Sequence, residues 1–141
     1  MRMMSARRLC AIVTIMAATA LAGGCATGSG SAAGLAGTQW TIVKIDGAAP
    51  VAPDRAMMRF DAERLSAHVG CNSIGGEYRV EGTRLLAGPL MATRMYCEGP
   101  VWAQEEAVNA LLSAAPEMER RGSAMRLVSG GHELQLQLKA S

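Results

Sequence analysis

A chain of 141 residues suffices for one domain, and a composition that is half apolar but only 4% aromatic requires a core of Leu, Val, Ile, Met and Ala. The formal charge of +2 overstates the basic character, because Arg2, Arg7 and Arg8 fall within the first 24 residues and the remainder carries one more acidic than basic residue. A nucleic-acid binder would concentrate a basic excess on one face, and that class is excluded.

Residues 1–24 have the three parts of a secretory signal: a basic start, an apolar run over residues 9–22, and small residues before a cleavage point. A run of about 14 residues falls short of the roughly 20 that a bilayer core requires, so cleavage is expected in place of a spanning helix. The end of the run, Leu21-Ala22-Gly23-Gly24-Cys25, resembles a bacterial lipobox. That resemblance implies lipidation of Cys25 and attachment through acyl chains, each buried methylene contributing about 0.8 kcal/mol. Ala26 stands where Asp would mark inner-membrane retention. By analogy with Gram-negative lipoprotein sorting, the expected location is the periplasmic face of the outer membrane. Residues 25–37, rich in Gly, Ser and Ala and uncharged, read as a flexible tether with too little side chain to pack.

The domain then runs over residues 38–141. Residues 38–46 suit a strand, but Trp40 and Ile42 face opposite to Val43 and Ile45, so a bulge or burial on both sides is expected. Pro50 and Pro53 make a loop. Further strands are expected over residues 57–61, 65–69, 75–80 and 84–86, with the Gly70-Cys71-Asn72 turn before the fourth. Residues 89–97 form a connector of undetermined shape. Gly99-Pro100 starts a helix in which Val101, Val108, Leu111 and Leu112 lie close to one face; Glu98, Glu105 and Glu106 suit its positive end, and Pro116 stops it. Residues 117–121, 124–128 and 133–139 are strands, the last with Leu134, Leu136 and Leu138 inward. The pattern predicts an α+β fold: an antiparallel curled sheet, like a cracked β-barrel, carrying one main helix.

Cys71 and Cys97 are the only cysteines beyond Cys25, and in an exported protein they read as a disulfide. A metal site on Cys71, Cys97 and His68 would lack a fourth ligand and the usual C-x-x-C pairing. A redox-active thiol pair is the remaining reading. Met57, Met58, Met91 and Met95 invite copper(I), but methionine is an ordinary filler of irregular cores, and that reading is preferred. His68 and His132 are expected at the surface, with no local signature of a Ser–His–acid triad. Asn72 is expected to bond its own backbone in the turn. Arg94, with Met95 and Tyr78, forms the candidate binding groove; the plainer role for Arg94 is hydrogen bonding to backbone carbonyls.

Trp40, the GCNSIGGEYRV stretch at 70–80, GPLMATRMYC at 88–97, the helix with Ala110-Leu111-Leu112 and the closing Leu-x-Leu-x-Leu strand together resemble the META domain, or HslJ-like, family. The resemblance covers residues 37–139. It implies a barrel-like antiparallel sheet with a helix, and a bacterial envelope protein, often a lipoprotein. Some members are linked to heat-shock response and novobiocin resistance, and no enzymatic activity is attached to the family. A non-enzymatic envelope lipoprotein that binds another envelope component or an apolar ligand is therefore expected, without cofactor, metal or catalytic set. A purely structural role in envelope integrity is the alternative, and an unrecognised hydrolase or a redox or metal-binding protein follows.

Overall fold

Alternating apolar and polar residues give each strand one face to bury, and antiparallel pairing through short turns curls those faces around a common interior. The structure, a computed structural model, describes residues 34–140; the expected export signal, Cys25 and the first part of the expected tether lie outside the described residues. In chain order the elements are β1 (Thr38–Ile45), β2 (Met57–Phe60), β3 (Arg64–His68), β4 (Ser73–Glu81), β5 (Arg84–Ala87), β6 (Met91–Ala92), α1 (Pro100–Ser113), β7 (Glu117–Arg121), β8 (Ala124–Ser129) and β9 (His132–Leu138).

The order β3-β2-β1-β9-β8-β7-β5-β4 returns to β3, closing an eight-stranded antiparallel barrel, with β6 added on β4. The sheet is thus closed where the sequence suggested a cracked one. Its thinnest join is β5–β7, with Arg84 opposite Glu117 and flanking bonds from Leu85 N–H to Pro116 C=O (2.9 Å) and Met118 N–H to Thr83 C=O (2.7 Å).

The irregular pattern of β1 has a simple cause. Its register against β9 shifts between Ile42 and Lys44, so Val43 is the extra residue of a bulge. Val43 turns out to solvent, while Trp40, Ile42 and Ile45 all bury. With Met58, Phe60, Leu85, Leu127 and Leu134 they fill the interior, each large apolar side chain contributing about 1.5–3 kcal/mol. The barrel is solid. Gly76 is required on β4 because a Cβ there would stand 2.7 Å from the Pro89 carbonyl oxygen, which crosses the strand.

Successive ring strands alternate in direction, so the start of β1 and the β4–β5 and β7–β8 turns gather at one end. The β3–β4 and β8–β9 turns gather at the other. At the first end, residues 34–37 belong to the fold and not to a tether. Leu35 is buried, Gly37 N–H donates to Phe60 C=O (2.7 Å), and the Arg120 guanidinium donates to Gly34 C=O (2.7 Å) while lying 5.3 Å over the Trp40 ring. One leucine in a Gly/Ala-rich run was enough to pack. At the second end α1 covers the barrel through Ala107, Val108, Leu111 and Leu112, against β9, β5, β8 and β1. Among the described residues no helix is long and apolar enough to cross a membrane.

Candidate binding cleft

The β3–β4 turn, the connector after β6 and α1 meet at the second end, and two polar side chains hold them together. Glu105, on the second turn of α1, is buried. Its Oε1 accepts the backbone N–H of Cys71 (3.0 Å) and of Asn72, and its Oε2 accepts the Asn72 amide (3.0 Å). The other end of that amide, Asn72 Oδ1, accepts the Thr93 hydroxyl (2.9 Å) and the Met95 N–H (2.8 Å). Glu105 therefore serves a turn on another element and not the helix dipole, and no acidic residue occupies the first turn of α1. Asn72 likewise spends its side chain on the connector and the helix, not on its own backbone. Both are satisfied, as buried polar groups must be.

Beside this hub Cys71 and Cys97 form a disulfide with a Cα–Cα distance of 6.2 Å. Among the described residues the cluster with metal-like spacing is Cys71, Cys97 and Glu105, all within 4.8 Å. With the two sulfurs bonded to each other it has no thiolate to offer. His68 is not part of it: its Nδ1 lies 2.8 Å from Asn72 C=O.

The pinned connector leaves an open cleft of about 710 Å³ between its outer side and α1, lined by Arg94, Met95, Tyr96, Trp102, Glu106 and Asn109 among others. Its rim is unusually apolar for an exposed surface: Met95 is 58% exposed, Tyr96 88% and Trp102 48%, while Met91 on β6, outside the lining, is 75% exposed. Core filling thus fails for Met91 and Met95, because the connector runs along the surface as an edge, whereas Met58 does fill the core. Arg94 makes no hydrogen bond or ion pair to another described residue, so its expected backbone carbonyls are not its partners. Tyr96 donates to Glu98 Oε1 (2.7 Å), and that bond holds its phenol above the ordinary value.

Of the three residues expected to form a groove, Arg94 and Met95 come together and Tyr78 does not. Tyr78 is a core residue, edge-on to Phe60 at 5.1 Å, with its hydroxyl donating to Asp61 C=O (3.0 Å). Its long apolar ring fits the inward phase of β4. Sequence reasoning missed Trp102, Tyr96, Asn72 and Glu105 as members of one site. Glu105 carried a usable signal, since it stands at the helical spacing of Val101, Val108 and Leu112.

The second histidine is not a free surface group either. His132 Nδ1 lies 2.8 Å from Asp46 Oδ2, and Asp46 Oδ1 accepts Glu133 N–H (2.8 Å). Partial burial pushes the Asp46 carboxyl up, but the Glu133 and His132 bonds outweigh it and leave it below the ordinary value. Ser129 is the cross-strand neighbour of His132, yet its hydroxyl goes to Ala114 C=O (2.9 Å). That arrangement orients no nucleophile toward the imidazole.

Relatives bear on the fold more than on the cleft. A solved NMR structure of a protein from Burkholderia xenovorans is similar over 76% of this chain and 85% of its own, with 26% identity and a TM-score of 0.61. A second NMR structure is similar over 75% of this chain and 92% of its own, with 18% identity and a TM-score of 0.67, and speaks to the fold alone. No curated protein matches. The META domain profile matches residues 33–141, which includes the barrel, the hub and the cleft, and the chain belongs to the META domain family.

Proposed function

We propose that this is a lipid-anchored envelope protein whose META domain works by holding a partner in the cleft beside α1, and so contributes to tolerance of heat and antibiotic stress. One observation carries the binding role: the barrel interior is filled, while Met95, Tyr96 and Trp102 stand exposed around an open cleft with Arg94 among them. An apolar ligand has no room inside the barrel, so any ligand belongs outside it. The signal-like first 24 residues and Cys25 support attachment to the outer membrane, facing the periplasm.

A photo-crosslinking residue at position 102, in cells, is expected to give a discrete adduct that the same residue at position 43 does not give. The mass of the purified protein is expected to show cleavage before Cys25 and added acyl chains. An unmodified N-terminus overturns the anchor. Absence of an adduct at 102, together with an unchanged permeability barrier after deletion, overturns the binding role. A purely structural protein would instead weaken the barrier without any adduct at the cleft.

A further inference from the structure

Strand β6 has one used edge and one unused edge. Thr93 N–H donates to Ser73 C=O (3.0 Å), and Ile74 lies opposite Ala92 and Gly75 opposite Met91. In an antiparallel ladder the bonded pairs alternate with unbonded ones, so Met91 and Thr93 bond inward to β4. The N–H and C=O groups of Ala92 therefore point away from β4, and Arg94, just past the end of β6, makes no backbone hydrogen bond among the described residues. They border the cleft, and the far wall is α1 with Trp102 and Glu106. An edge of this kind is a template for a further strand. The other strands are joined on both sides around the ring, most thinly at β5–β7.

From this geometry we infer that the occupant of the cleft is an extended peptide segment of a partner protein, added as a strand to the open edge of β6, with an acidic side chain against Arg94. This rests on the cleft being a binding site. The acid follows from Arg94, a guanidinium in the cleft that makes no ion pair with another described residue. Glu106 on the opposite wall disfavours a run of acids, so a single acidic residue among apolar ones fits best. The unpaired backbone edge favours a peptide over a lipid surface, which has no strand to pair with it.

The full chain in detergent is to be panned against a phage library of random linear dodecapeptides. The expected winners carry one acidic residue in an alternating apolar segment. A synthetic winner should slow amide exchange at Ala92 and Arg94 and shift the emission of the half-exposed Trp102. N-methylation at alternate peptide positions should weaken binding about tenfold or more, and at the intervening positions little, because only one edge of the added strand pairs. Arg94→Glu should turn the selected residue from acidic to basic, and Arg94→Gln should remove the preference. No enrichment, winners without the acid, protection elsewhere, or indifference to N-methylation overturns the proposal. So does binding of phosphatidylglycerol or phosphatidylethanolamine vesicles, or of a second copy of the chain, through the same residues. A persistent adduct at position 102 in cells alongside any of these results rejects the strand while leaving the cleft as a binding site.

Discussion

The carboxylate of Glu105 on α1 and the amide of Asn72 on the β3–β4 turn meet at 3.0 Å in a buried contact that joins helix, barrel and connector. Removing the acid strands two backbone N–H groups, those of Cys71 and Asn72, away from water. Glu105→Ala is expected to cost about 3 kcal/mol, from about 1–3 kcal/mol for each orphaned donor. Glu105→Gln keeps one acceptor oxygen and should cost less. Urea unfolding of both variants checks this, and a Glu105→Ala midpoint equal to the parent's would remove the hub from the structural account.

Leu35 gives a second measurement of stability, at the opposite end. It is a buried residue in a stretch whose composition reads as linker. Leu35→Ala should destabilise by about 2–5 kcal/mol, the range for emptying a packed leucine site. Loss below about half a kcal/mol would return residues 34–37 to the tether.

The Cys71–Cys97 bridge joins residues 26 positions apart. Closing such a loop contributes about 3–4 kcal/mol in the chain-entropy account. The oxidised protein should resist alkylation until a reductant is added, and Cys71→Ser with Cys97→Ser should lower the urea midpoint accordingly. Immediate labelling of both thiols in protein isolated without reductant would exclude the bridge.

Acid should weaken the fold through Glu133. Its carboxyl is held down to about 2, first by the Arg126 guanidinium at 2.7 Å and then by the Gln135 amide, against 4.5 for the free group. A depressed carboxyl stabilises above its unfolded value, so this contribution is complete above about pH 4.5 and fades as the pH falls towards 2. Unfolding midpoints at pH 5 and pH 2.5 should fall further for the parent than for Glu133→Gln, and added salt should narrow the difference because the pair is only half-buried. Parallel falls would mean that the pair contributes nothing.

Much of the barrel was legible because its strands obey one rule, apolar residues on alternate positions, and the bulge in β1 announced itself where Trp40 and Ile42 fell out of phase with Ile45. The helix was legible for the same reason, at its own period. The site was not. Met91 and Met95 look like core because composition cannot tell a buried connector from one lying on a surface edge. Asn72 looks like a plain turn residue because its worth depends on a partner 33 residues away, which no local pattern encodes, and Glu105 shows itself only through its helical spacing with Val101, Val108 and Leu112. Tyr78 misled in the opposite direction: expected in the groove, it lies in the core, where Asp61 C=O accepts its hydroxyl.

Residue 34 lies at one end of the barrel and the open edge at the other, and this has a mechanical consequence. Tension between residue 34 and the cleft runs along the strands, across the rungs that join β1 to β2 and β9. Under that load β1 cannot peel away one bond at a time; its rungs must shear together, so the domain is built to bear a lengthwise pull.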